Sequence, residues 1–318
     1  MSDKKTPLYH THVDLGGNMV SFGDFLLPTQ YSGINHEHMI VRSKAGLFDV
    51  SHMGEFIISG TDAETFLQKV TVNDVQSLEV GQAHYSAMCY EHGGIIDDLL
   101  VYKKEDEFMA VVNASNREKD LAWLTSNIQG NVTIKDISEK MALIAIQGPR
   151  SKDILQMLTD SNLSNLRFYH FIEGKVSGRE AIISRTGYTG ELGYEIYSSA
   201  NDITNVWNQI MDAGLDHGIE PVGLGCRDTL RMEMKYTLYG NDIDETTNPI
   251  EAGLGWITRL KKDEFIGKEA LVKAKKNVTR RLVCIEMAEK AIPRNGCPIF
   301  IDEELVGVIT SGTMSPSL

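Results

Sequence analysis

The sequence predicts an α+β chain of more than one domain, built on antiparallel sheets. Three observations lead there. Predicted strands and helices mix without strict strand–helix–strand alternation, which argues against a doubly wound parallel sheet. Two strands meet at a Gly93-Gly94 turn, as antiparallel neighbours do. The length, 318 residues, exceeds one ordinary domain of roughly 100–200.

The elements follow in chain order. His36 to Ala45 reads as a helix closed by Gly46, and Glu55 to Ser59 as a short strand. Thr61-Asp62-Ala63-Glu64 has the capping-box pattern and starts a helix carrying Phe66, Leu67 and Val70. His84 to Tyr90 and Ile95 to Lys103 form the strand pair, and Phe108 to Asn113 a third strand. Ser115 or Asn116 caps a helix with Leu121, Trp123 and Leu124. Val132 to Ile137 and Leu143 to Ile146 are strands, the latter stopped by Gly148-Pro149. A helix follows, then a hairpin from Lys175 to Ser184 and a strand from Tyr194 to Tyr197. Val206 to Met211 and Leu224 to Met234 are helical, with Arg227 and Arg231 on one face. Past Lys261 the chain turns basic, and strands at Leu282–Glu286, Ile299–Ile301 and Val306–Thr310 suggest a small C-terminal β domain.

Composition excludes several functions. Lys plus Arg number 31 against 44 Asp plus Glu, a net charge of −13. Nucleic-acid binders need basic stripes that this chain lacks. The four cysteines form no C-x-x-C, which fits a reduced compartment without a disulfide framework or structural zinc. No signal peptide and no membrane-spanning apolar run is present. The pairs His10/His12 and His36/His38 lack a third metal ligand and read as solvent-exposed. No dinucleotide loop, P-loop or serine nucleophile elbow occurs.

Three features stand out as chemistry. Asp97-Asp98 interrupts an apolar strand. Alternation sets Asp98 with Ile96, Leu100 and Tyr102, and Asp97 with Ile95, Leu99 and Val101. Either one Asp merely ties down the turn, or a poorly hydrated carboxylate meets a partner or ligand. Arg185 to Glu195 crowds three glycines, two tyrosines and two glutamates into one loop, either an ordinary turn or a close approach to a ligand. Arg227 and Arg231 either pair with nearby acids or fork onto an anionic or planar group.

Taken together, the segments resemble the glycine cleavage T-protein (aminomethyltransferase) family. The resemblance runs through Thr6-Pro7-Leu8-Tyr9, Gly46 to Gly54, Gly93 to Leu99 and Gln147-Gly148-Pro149. It continues through Arg185 to Glu191, Gly223 to Arg231, Leu238 to Glu245, Phe265 to Ala270 and Thr310-Ser311-Gly312. It implies a three-domain cloverleaf. A folate-binding domain, 1–54 and 139–260, would hold an inserted α+β domain, 55–138, ahead of a C-terminal β-barrel domain, 261–318. The family continues several tens of residues past Leu318, so the resemblance implies that this last domain is incomplete.

The implied reaction moves the methylene of an aminomethyl group, carried on the dihydrolipoyl arm of H-protein, to tetrahydrofolate, releasing ammonia. Tetrahydrofolate is the co-substrate, lipoylated H-protein the partner, and no metal is implied. The implied compartment is the cytoplasm, or the mitochondrial matrix in a eukaryote. Asp98 matches the catalytic aspartate and Glu195 the acid that holds the pterin. Arg227 matches a folate-binding arginine. Tyr188, Met53, Tyr85, Trp256 and, more weakly matched, Asn113 fall at ligand-lining positions, where core packing is the competing role. Cys226 stands where many members have Ala. Alternatives from other classes are a non-catalytic folate binder of the iron–sulfur-assembly relatives, whose Cys-containing loop is absent here, and a folate-dependent demethylase or oxidase domain.

Overall fold

The computed structural model describes residues 3–318. In chain order its strands are β1 (Lys4–Lys5), β2 (Met19–Phe22), β3 (Phe25–Pro28), β4 (Ala45–Asp49), β5 (Gly54–Ser59), β6 (Gln82–Cys89), β7 (Ile95–Lys103) and β8 (Glu107–Val112). They continue with β9 (Thr133–Asp136), β10 (Met141–Gln147), β11 (Phe171–Val176), β12 (Arg179–Ser184), β13 (Gly193–Ser199), β14 (Ile219–Pro221), β15 (Pro298–Ile301) and β16 (Glu304–Val308). The α-helices are α1 (Tyr9–Asp14), α2 (Ile34–Ser43), α3 (Ala63–Val70), α4 (Arg117–Ser126), α5 (Ser151–Gln156), α6 (Ile203–Gly214), α7 (Leu224–Glu233) and α8 (Lys268–Lys276).

Two sheets dominate. One has the order β11-β12-β13-β10-β4-β14, the other β6-β7-β8-β5-β9. Their ladders are antiparallel except for β14 on β4. Strand alternation sorts side chains between layers. In β10, Ile144 and Ile146 pack with Trp207 and Ile210 of α6, while Leu143 and Ala145 face a second cluster. That second cluster includes Tyr102, Met109 and Val111 of the other sheet and Cys226 and Leu230 of α7. The two sheets and α7 therefore share one apolar layer. The opposite face of the five-stranded sheet is closed by Phe66, Leu67 and Val70 of α3 and Leu124 of α4. Each such fully buried side chain stabilises by about 1.5–3 kcal/mol.

Several sequence expectations change. The helix predicted over His36–Ala45 runs Ile34–Ser43, because Ala45 and Gly46 pair in β4 with Ile219 and Glu220. Gly46 is a packing glycine rather than a helix stop: a Cβ there would lie 2.6 Å from Val41. The capping box does not close. Asp62 is the N-cap residue without a side-chain cap bond, its carboxylate accepts from the Asn131 N–H at 2.7 Å, and Glu64 pairs with Lys103. Asn116 likewise precedes α4 without capping it through its side chain. Ile96 does not share the Asp98 face. A register shift opposite Met88/Cys89 turns it into the cluster holding Leu99 and Val101, as a β-bulge does.

His12 and His38 are fully buried, not solvent-exposed. His12 bridges Asp49 at 2.8 Å and the Tyr31 hydroxyl at 2.7 Å, and His38 meets Thr229 and Glu233. Leu282–Glu286 forms no strand: the Leu282 N–H donates to the Glu251 carbonyl, no ladder follows, and Val283 and Ile285 stay exposed. The terminal segment contributes the β15–β16 hairpin and is fastened by polar bonds. Arg231 donates to Ser311 and Thr310 to Asp242. No helix among the described residues is long and apolar enough to cross a membrane.

Candidate functional site

Pairing register builds the first half of the site. Tyr85 sits opposite Leu100 in the β6–β7 ladder, so it is a diagonal neighbour of Asp98. The β7–β8 register sets Leu99 against Val112, which brings Asn113, just past β8, beside Asp98. The Tyr85 hydroxyl donates to Asp98 Oδ2 at 2.8 Å, and Asn113 Nδ2 donates to Asp98 Oδ1 at 2.8 Å. Gly94 fixes the preceding turn, since a Cβ there would meet the Glu245 carbonyl at 1.8 Å.

Burial and the neighbouring Asp97 charge raise the Asp98 carboxyl to about 7, although its two donors pull the other way. Tyr85 is itself pushed up, first by burial and then by Asp98, so it keeps its proton and donates it. Asp97 is fully buried. It accepts from the Asn113 backbone N–H at 3.0 Å, Asn113 Nδ2 at 2.9 Å and Asn116 Nδ2 at 2.6 Å.

The second half comes from the 185–195 loop, β13 and α7. Tyr188 donates its hydroxyl proton to the Thr237 carbonyl, and the Thr237 hydroxyl lies 3.3 Å from the Tyr85 hydroxyl. Arg227 stands over the Tyr188 ring at 4.5 Å, a cation–π contact. Among the described residues Arg227 has no ion pair or side-chain hydrogen bond, because its neighbour Asp228 is taken by Arg231. The Tyr236 ring stacks near Tyr188, with centroids 5.6 Å apart.

Glu195 is buried in β13, opposite Ser184 and Ala145. Its Oε2 accepts from the Thr186 hydroxyl at 2.5 Å. Burial raises its carboxyl, opposed first by that bond and then by the Arg227 charge. A cleft of about 270 Å³ is lined by Phe168, Arg185, Thr186 and Tyr236 among others. A separate cleft of about 370 Å³, beside Trp123 and Ile266, carries none of these groups.

The structure therefore brings Asp98, Tyr85, Asn113, Tyr188 and Arg227 into one connected set, with Glu195 held by Thr186 nearby. Trp256 is 58% exposed, with its ring 6.1 Å from Tyr85, at the rim of the set. Met53 packs on the apolar layer that includes Tyr102 and Tyr197 and makes no side-chain hydrogen bond. Gly187 and Gly193 serve a neighbour in the protein: a Cβ at either would strike the Gln147 side chain at 2.1 or 2.3 Å.

Sequence reasoning did not single out Thr237, Tyr236, Asp120 or the individual Thr186 for the site, and it read Asn116 only as a helix cap. The one available signal was the spacing Asn113, Asn116, Asp120 at a helix start, which sets three polar groups on one side.

The arrangement offers a carboxylate poised near neutrality, a buried acceptor for N–H groups, an aromatic wall and a free guanidinium. Comparison with known proteins gives these groups a context. Residues 8–262 match the GCVT N-terminal domain, and residues 280–318 match the glycine cleavage T-protein C-terminal barrel domain. The chain is 50% identical to an aminomethyltransferase of Halothermothrix orenii, over 99% of this chain and 89% of that one. It is 49% identical to an aminomethyltransferase of Bacillus subtilis, over 99% and 88%. The crystal structure of glycine cleavage system aminomethyltransferase T from Bartonella henselae superposes with a TM-score of 0.92. That match is 33% identical and covers 99% of this chain and 87% of the other.

Proposed function

The chain belongs to the glycine cleavage T-protein family and is an aminomethyltransferase, and from that premise we propose how its cleft divides the work. The co-substrate is tetrahydrofolate and the donor is the aminomethyl-dihydrolipoyl arm of H-protein. Overall, the methylene carbon loses its bonds to sulfur and to the amino nitrogen. It gains bonds to N5 and N10 of the folate, whose two protons end on the thiol and on ammonia.

The residues present suit that ligand. Glu195 has an Oε1 without a hydrogen bond among the described residues, ready to accept N–H groups from an aminopyrimidine edge. Arg227, unpaired over Tyr188, receives an anionic or planar acceptor of the folate. Tyr188 supplies a flat aromatic surface and Met53 a soft apolar side chain for the ligand. Asp98 faces the reacting nitrogens. Ionised, it orients their N–H bonds and stabilises positive charge developing on the methylene as the carbon–sulfur bond breaks. Trp256, at the rim beside Tyr85, lies where the arm enters.

The observation that carries this reading is the continuous path from Asp98 through Tyr85, Thr237 and Tyr188 to Arg227. Asp98→Asn tests it. Transfer from loaded H-protein falls about 100-fold or more, while tetrahydrofolate binding by calorimetry stays within about threefold. Equal loss of both makes Asp98 a binding or structural residue.

A further inference from the structure

We propose that Asp120 is a positioning residue for Asp98: it carries a proton, donates it to Asp97, and so keeps the Asn113 amide bridged between Asp97 and Asp98. The inference rests on the reading of Asp98 as the acid at the reacting centre.

The geometry is specific. Asp120 lies in α4 with no exposed surface, and neither of its side-chain oxygens meets an N–H or O–H donor. The carboxyl beside it is Asp97 on β7, which Asn116, one turn earlier, also reaches at 2.6 Å. Two ionised carboxylates have only acceptors and cannot bond each other, so the pair shares one proton. Asp97 already receives three donor bonds, all of which favour its ionised form, and Asp120 receives none. The proton therefore sits on Asp120.

Lys119, beside Asp120 in the same helix, does not neutralise it. Its ammonium is spent on the Ile96 carbonyl and the Tyr239 hydroxyl. The charges facing Asp120 are then Asp97 and Asp98 from β7, Lys119 from α4, and the Tyr239 hydroxyl. Burial and the Asp97 charge push the Asp120 carboxyl up to about 11, in agreement with the donor count.

The consequence passes along one short chain. Asp97 anchored by Asp120 holds the Asn113 amide at 2.9 Å, and the same nitrogen reaches Asp98 Oδ1 at 2.8 Å. Without the Asp120 proton, either Asp97 repels its neighbour or it takes the proton itself and releases its amide donors. In both cases Asp98 loses its fixed direction.

Carboxyl ¹³C NMR on full-length protein labelled at aspartate reads the proton directly. Above the Asp98 midpoint of about 7, one aspartate signal stays at the protonated position in the wild type and is missing in Asp120→Asn. Turnover reads the role. Asp120→Asn, whose amide still donates, keeps kcat within about threefold. Asp120→Ala lowers kcat about 10- to 100-fold with KM for tetrahydrofolate unchanged, and moves the acid limb of its pH profile.

A spectrum without a protonated aspartate overturns the proposal. So does Asp120→Ala with wild-type kcat and pH profile, or Asp120→Asn as damaged as Asp120→Ala. Should Asp120→Ala fail to fold, the spectrum and Asp120→Asn still decide. Asp98→Asn assayed in parallel separates the two readings. Wild-type turnover there removes the role of Asp98, whereas the spectrum bears only on Asp120.

Discussion

At the Asp98 end of the site three carboxylates crowd within one turn of strand and helix, shared among two amides and a hydroxyl. At the Arg227 end a guanidinium stands over Tyr188 with no acid bonded to it among the described residues. Both ends place charge where water is scarce, but the remedies differ. The acidic end absorbs its surplus internally, through a retained proton and a raised Asp98 carboxyl. The basic end has no directly bonded acid among the described residues, only the through-space charges of Glu195 and Asp228, which leaves its guanidinium open to a ligand. Under the proposed function, a residue at the first end acts on turnover and one at the second on affinity. That division can be broken by variants that cross it.

The largest crossing test is Arg227→Ala. Arg227 has no direct ion pair, and its removal withdraws only through-space support from the Glu195 carboxylate, so the fold should keep its Tm within a few degrees. Tetrahydrofolate affinity falls about 10- to 100-fold, the range for a charge-assisted contact, and kcat at saturation changes little. Arg227→Lys recovers only part, because an ammonium lacks the planar fork. A kcat that falls with unchanged affinity would join the two ends into one functional unit.

Tyr85→Phe probes the acidic end more gently. The Tyr85 hydroxyl donates to Asp98 and favours its ionised form. Losing that donor raises the Asp98 midpoint further above about 7. If turnover needs the carboxylate, kcat drops as pH falls through that midpoint, and in Tyr85→Phe the drop begins at higher pH. The expected displacement is about half to one pH unit, the worth of one hydrogen bond. A pH–kcat series with both proteins measures it. An unmoved limb assigns the titration to another group.

The same contrast explains what was readable in sequence. Asp97-Asp98 was visible because two acids inside an apolar strand violate its pattern. The loop holding Glu195, and Arg227, stood out too, but each had an ordinary local explanation beside the functional one, and only the family resemblance gave Glu195 and Arg227 specific roles. Asp120 was easily passed over, since Arg117-Glu118-Lys119-Asp120 resembles a solvated helix start, the Asn113–Asn116–Asp120 spacing is a weak signal, and its burial is a tertiary fact. His12 and His38 were misjudged for a related reason: their acids, Asp49 and Glu233, lie far along the chain. Ile96 was assigned to the wrong face because strict alternation cannot anticipate a bulge. Leu282–Glu286 has strand composition, yet a strand exists only where a neighbour completes its ladder.

The smallest effect is expected at Thr186→Val, a change of nearly equal volume at the Glu195 contact. The Thr186 hydroxyl donates to Glu195 Oε2 at 2.5 Å and lowers the cost of keeping that buried carboxylate ionised. Without it the Glu195 carboxyl, already raised by burial, rises further. Only the ionised form can accept two N–H groups of an aminopyrimidine, so the variant loses affinity first on the acid side. At alkaline pH the loss should be about twofold to threefold, and it should widen as pH falls. Calorimetric titration with tetrahydrofolate at several pH values resolves this. A uniform loss at all pH values would make Thr186 a packing contact and leave Arg227 as the main support of the Glu195 charge.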